Sequence, residues 1–165
     1  MWALALLLMM TLFGGYGVST HKKLKELQKR TEKAYGMMAV PLDARLERID
    51  RMLSGEEQTL LSGIREARRA VEANREKRED RLCAETRLTL AIAAAAQAVV
   101  DEEERAILSR IALLEQDIAL CKEDYNAAVQ ALNGKVRSFP AGLIAAVRKF
   151  SVLPLFGESK GALAH

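Results

Sequence analysis

The 165-residue sequence predicts an all-α protein, an N-terminal transmembrane helix followed by a long antiparallel up-down bundle of three to four helices. Three observations carry that prediction. Half the residues are apolar but only 5% are aromatic, and Ala, Leu, Glu, Lys and Arg dominate, which is the usage of helices rather than sheets. The first 21 residues contain no charged side chain. From residue 42 onward, apolar residues recur at steps of three and four, the period of an amphipathic helix.

Residues 2–18 form an uncharged run of 17 residues, roughly 26 Å long as a helix, at the short end of what crosses a bilayer. Trp2 and Tyr16 sit near its two ends, where interfacial aromatics belong. A cleaved signal peptide needs a basic n-region and a small-x-small cleavage site, and neither stands out. A buried core helix is the bland alternative, but such a helix rarely opens a chain without one polar face. Residues 1–20 are therefore read as the transmembrane helix.

Residues 21–40 read as a basic juxtamembrane helix or linker. Lys22, Lys23, Lys25, Lys29, Arg30 and Lys33 stand against Glu26 and Glu32, a net +4. The whole chain carries +3, so everything from residue 34 onward sums to −1. A positive cluster directly after a span places the following chain in the cytoplasm and the N-terminus outside. The same residues can approach anionic headgroups. Gly36 and Pro41 are expected to interrupt this helix or shift its register.

Residues 41–165 then supply the bundle. Leu42, Leu46, Ile49 and Leu53, followed by Leu60, Ile64, Ala67 and Val71, define one apolar face, with a turn or irregular point at Ser54-Gly55-Glu56-Glu57. Residues 75–81 contain no apolar side chain and read as a solvated helix end or an interhelical connection; their alternating signs argue against nucleic-acid binding. Residues 82–100 are Ala-rich and suit a closely packed helix. Asp101-Glu102-Glu103-Glu104 fits the positive potential of a helix N-terminus. Consecutive acids on a helix diverge, so they do not converge on a metal.

The longest seam runs Ile107, Ile111, Leu114, Ile118, Cys121, Tyr125, Ala128, Leu132 and Val136, a helix of roughly 45–50 Å that needs partners of similar length. Cys121 falls on the seam as a small buried apolar residue. Phe139-Pro140 ends it, and a short amphipathic tail follows with Leu143, Val147 and Phe150 on one face. This tail is expected to pack on the bundle, with docking on a membrane or a partner as the alternative.

An enzyme is the least supported class. Cys83, Cys121, His21 and His165 are the whole soft-ligand inventory, so neither a zinc site nor a disulfide framework is expected. There is no nucleophile elbow, P-loop or dinucleotide glycine pattern. No cofactor, small-molecule substrate or nucleic acid is expected. The basic isoelectric point belongs to one short segment beside the apolar run.

The stretch Glu115, Ile118, Lys122, Tyr125-Asn126, Val129, Asn133, Val136 and Phe139-Pro140 resembles the C-terminal signature of the LemA family of bacterial membrane proteins, E-x2-I-x3-R-x2-YN-x2-V-x2-YN-x2-I-x2-FP. Leu143-Ile144-Ala145, Phe150 and Phe156 fit that family's tail, and Glu57, Leu61, Ile64, Ala67 and Arg68 look like its HE-x3-L-x2-V-x2-AR pattern. The second YN pair is Leu132-Asn133 here, and Glu56 stands where His is usual. The resemblance implies a membrane-anchored antiparallel bundle without established enzymatic activity; some members are associated with magnetosome membrane formation and others with envelope functions. Within it, Tyr125, Val129, Val136 and Phe139 are expected along one helix face. Asn126 and Asn133 are expected to bond neighbouring helices or fix register.

The expected function is a non-enzymatic scaffold or adaptor, anchored by one pass in the bacterial inner membrane with the bulk of the chain cytoplasmic. Its expected partners are membrane lipid, through the N-terminal helix, and a protein partner or a second copy. A periplasm-facing envelope or lysis factor of spanin-like build is the runner-up.

Overall fold

A computed structural model describes residues 2–53, 61–99 and 102–157; within the helices, the side chains of residues 3–8, 11–13, 103, 104 and 107 lie outside the description. The described residues form five helices and no strand: α1 Trp2–Leu53, α2 Ser62–Ala73, α3 Arg78–Ala98, α4 Glu102–Arg137 and α5 Ala141–Val147. All-α architecture is thus as expected. Among the described residues no helix is long and apolar enough to cross a membrane, so the expected span has no counterpart there. Much of residues 2–18, on which that expectation rests, falls on side chains outside the description.

The expected break at Gly36 and Pro41 does not occur. Helix α1 runs through both, with Pro41 inside it. A helix-interior proline costs about 3 kcal/mol, partly by orphaning the carbonyl four residues back. That carbonyl belongs to Met37, a 55% exposed residue that water can serve. Met38 and Leu42 flank the proline fully buried, each contributing roughly 1.5–3 kcal/mol, enough to offset the loss.

Contacts divide the chain into two compact units: residues 1–33 with 127–153, and residues 34–126 with 154–165. The second unit holds the larger core. Leu46, Ile49 and Met52 of α1 meet Ile64, Ala67 and Val71 of α2, Leu88, Ile92 and Ala95 of α3, and Ile111 of α4. Residues 74–77 turn α2 directly into α3, and so short a connection makes the pair antiparallel; of the polar stretch 75–81 only residues 75–77 are connection, since α3 begins at Arg78 and Arg81 is buried. Across α1 and α4, Tyr35 stacks near Tyr125 while Arg45 bonds Glu115, so rising numbers meet falling ones and these helices are also antiparallel. The seam of α4 is buried at Ile111, Ile118, Tyr125, Ala128 and Leu132, whereas Cys121 is half-buried rather than buried. The residues proposed for an irregular point, 54–57, and Asp101 lie outside the description.

In the first unit Leu24 of α1, Leu132 of α4 and Ala145 of α5 form the buried centre, with Leu27, Val136, Phe150 and Leu153 packed around it. Helix α5 corrects two expectations. Its docked face is Ala141 and Ala145, both fully buried, while Leu143 and Val147 are exposed. Phe139 does not continue the α4 face: α4 ends at Arg137 and Phe139 is 87% exposed. The backbone also approaches closely here: a Cβ on Gly142 would stand 2.8 Å from the carbonyl oxygen of Val136. The helix ends on a left-handed residue, Lys149 at φ 58°. The Phe150 N–H bonds the Ala145 carbonyl and the Lys149 N–H bonds the Ala146 carbonyl, the double closure of a Schellman motif.

Candidate functional site

In the 34–126 unit, charged side chains of three helices meet in a largely buried cluster. Arg45 of α1 is fully buried although it lies among Leu42, Leu46 and Ile49. Its Nη2 donates to Glu85 Oε2 at 2.5 Å and its Nη1 to Thr89 Oγ1 at 2.8 Å, both on α3. The same Nη1 donates to Glu115 of α4, and Thr89 Oγ1 donates onward to Glu115 Oε2 at 3.2 Å. Arg81, one turn before Glu85, reaches Glu85 Oε1 with Nε at 3.5 Å and Asp43 Oδ1 with Nη2 at 2.8 Å. Asp43 and Arg45 of α1 thereby meet Arg81 and Glu85 of α3 in rising order, so these two helices run parallel.

Burial pushes the Glu85 carboxyl above its ordinary range, against the opposing pull of Arg45 and Arg81. Arg45 and Glu85 have no solvent-exposed side-chain surface and each is committed to the other. The arrangement therefore ties helices together. Losing one partner of such a pair strands the other charge, at a cost of about 3–5 kcal/mol.

The signature residues have a second task, holding the chain that follows α5. In the 127–153 unit, Asn133 Nδ2 donates to the Leu153 carbonyl and the Leu153 N–H donates to Asn133 Oδ1, each at 2.9 Å. In the 34–126 unit, Asn126 does the same to Phe156, at 3.1 and 2.8 Å. Tyr125 Oη donates to the Pro154 carbonyl at 2.8 Å, and Lys122 Nζ lies 5.3 Å from the Phe156 ring centroid. The amides of Asn126 and Asn133, expected to bond neighbouring helices or fix register, each bond main-chain groups of the tail rather than a helix.

The remaining signature residues divide. Ile118 and Val129 are buried and Val136 is half-buried, whereas Phe139 is exposed and Pro140 is the residue before α5. Lys22, Lys23, Lys25, Lys29, Arg30 and Lys33 are all exposed on α1, with Lys23 bonded to Glu26 at 3.0 Å. Sequence reasoning missed Arg45, Arg81, Glu85 and Thr89. A signal existed for Arg45, which falls three residues after Leu42 and four before Ile49, squarely on the apolar face. Among the described residues no group of three or more His, Cys, Asp or Glu is arranged to hold a metal ion.

The described residues are thus a helical protein whose helices are tied through a buried ion cluster and whose tail is held by side-chain amides. The chain belongs to the LemA family, which it matches over residues 46–163, about seven-tenths of its length. That span begins in the second half of α1 and includes both the ion cluster's α3 and α4 members and the amide-held tail. Neither a curated protein nor a solved structure matches the chain.

Proposed function

We propose that this LemA family chain is a non-enzymatic scaffold or adaptor anchored in the bacterial inner membrane. Residues 2–18 cross the bilayer once, the N-terminus lies outside, and the helices from residue 21 onward are presented in the cytoplasm to a protein partner or the inner leaflet. The distribution of charge carries this reading. The unit made of residues 1–33 and 127–153 contains ten Lys and Arg against two Glu, a net +8, and its first 21 residues are uncharged. The other unit contains fifteen basic and twenty acidic residues, a net −5.

An excess of Lys and Arg beside an apolar run holds that side in the cytoplasm. The exposure of large apolar side chains in the described part of the run, Trp2 88%, Met9 58% and Met10 76%, supports a lipid-facing surface. A role without catalysis is supported by how the buried carboxylate is used: Glu85 is spent on Arg45 and Arg81.

A fusion after His165 to a reporter that fluoresces only in the cytoplasm tests the orientation. A bright fusion that stays with washed membranes is expected. A dark fusion beside an active periplasmic reporter would overturn the assignment in favour of a periplasm-facing envelope factor.

A further inference from the structure

Helix α5 buries Ala141 and Ala145 and turns Leu143 and Val147 outward. Phe139, Leu143 and Val147 are 87%, 62% and 80% exposed, and Leu143 and Val147 share one face four residues apart. A short helix on a water-facing surface would carry polar residues there. Beside this face runs a groove of about 440 Å³, lined by Leu143, Ile144 and Val147 on one side and by Gly14, Gly17 and Val18 of α1 on the other. Nothing stands within 4 Å of where side chains on Gly14, Gly15 or Gly17 would begin, so the groove is open.

The charges around it have one sign. Residues 127–153 contain Lys135, Arg137, Arg148 and Lys149 and no acid. Arg137, Arg148 and Lys149 are exposed, Arg148 borders the groove itself, and Lys22 is exposed one residue beyond His21, which also lines it. Exposed apolar side chains with Arg148 at the groove's border, and Arg137 and Lys149 exposed in the same unit, complement an anionic lipid leaflet, which offers an apolar layer beneath phosphates. The α1 residues in the groove are the last turns of the uncharged run. If that run spans the bilayer, the groove lies at the depth where acyl chains give way to headgroups.

We propose that α5 is an interfacial docking element for anionic phospholipid. Phe139, Leu143 and Val147 enter the upper acyl layer, lipid fills the groove, and Arg137, Arg148 and Lys149 face the phosphates. The inference rests on the anchor reading, and its test separates the two.

Trp2 is the single tryptophan, which makes a clean pair of fluorescent probes. The full-length protein is reconstituted in phosphatidylcholine vesicles with and without phosphatidylglycerol, using lipids brominated on the acyl chain as quenchers. In the unsubstituted chain Trp2 reports the anchor. In a Trp2→Phe, Phe139→Trp chain the new indole reports α5. The expected result is a blue-shifted indole at 139 that bromolipid quenches, more strongly with phosphatidylglycerol present. Arg148→Gln and Lys149→Gln each lower the ratio of docked to undocked α5 about fivefold. Leu143→Glu, at an exposed position, abolishes quenching at 139 in the probe chain while leaving Trp2 quenched in the unsubstituted background.

Quenching at Trp2 with a water-exposed indole at 139 overturns the docking proposal and spares the anchor. A blue-shifted but unquenched indole at 139 overturns it in favour of a protein cover, such as a second copy. Quenching at 139 without quenching at Trp2 removes the anchor and keeps the docking. Absence of both removes both.

Discussion

Asn133 and Leu153 exchange two hydrogen bonds, one in each direction and both 2.9 Å long. One side chain thereby satisfies both main-chain polar groups of a residue twenty positions further along. The amide's orientation follows from its partners, because the Leu153 N–H can meet only the carbonyl end of Asn133. An isosteric change that removes the donor but keeps the acceptor therefore breaks half of the exchange and sets two oxygens against each other.

Asn133→Asp is expected to destabilise the 127–153 unit by about 2–3 kcal/mol at neutral pH, and Asn133→Ala by somewhat less. Chemical denaturation of the full chain in detergent measures both. Equal stability of Asn133→Asp and the unsubstituted chain would show that the exchange contributes nothing.

The ion cluster predicts an ordering. Arg45→Ala leaves Glu85 without its nearest cation and removes a large buried side chain, so a loss of about 3–5 kcal/mol is expected. Glu85→Gln keeps the shape and an acceptor for Arg45, so it costs less. A double-mutant cycle on the two positions gives the coupling, and additive losses would contradict the pairing seen between them.

Glu85 also predicts a pH dependence. Its carboxyl is held above the ordinary range by burial, so over the interval between the ordinary and the raised value the folded chain keeps a proton that the unfolded chain has released. Rising pH then favours unfolding across that interval, and the contribution is fully present only below it. Other carboxylates slope the opposite way, so the measurement is a difference. The stability of the unsubstituted chain minus that of Glu85→Gln should fall as pH rises through the interval, and a rising difference would reverse the assigned direction.

Around α5, backbone geometry sets the sign of two substitutions. Lys149 holds a left-handed conformation at φ 58°, so Lys149→Gly should stabilise the unit by about 1 kcal/mol. Gly142→Ala should destabilise it by about 1–3 kcal/mol, because the new methyl meets the Val136 carbonyl oxygen rather than a movable side chain. Thermal unfolding of the two single variants checks both.

Periodicity made much of the fold legible. The steps Leu42, Leu46, Ile49 and Ile64, Ala67, Val71, and the long seam through Ile111 and Tyr125, fall on buried faces. Hydropathy misplaced α5 because it ranks Leu143 and Val147 above Ala141 and Ala145. Backbone approach as close as that of Gly142 to the Val136 carbonyl is a matter of distance, and no transfer scale contains distance. It misjudged Pro41 because a local cost was outweighed by burial of Met38 and Leu42 on either side. The asparagines were visible as a pair on one face, but their partners are main-chain groups in a segment without period. Arg45 was legible in principle, as a charge interrupting an apolar stripe; Glu85 became meaningful only once α1 and α3 lay side by side.

The position of Pro154 takes on a different significance beside these contacts. Leu153 and Phe156 are each held by both N–H and carbonyl, whereas Pro154 is held by its carbonyl alone, through Tyr125. Proline has no N–H to offer, and it stands where none is asked for. The amide contacts discriminate among tail sequences by one rule only: any residue but proline serves at 153 or 156, while 154 admits all twenty. Drift in the tail's side chains is therefore filtered by packing, and its path along α4 is inherited through groups that mutation does not change.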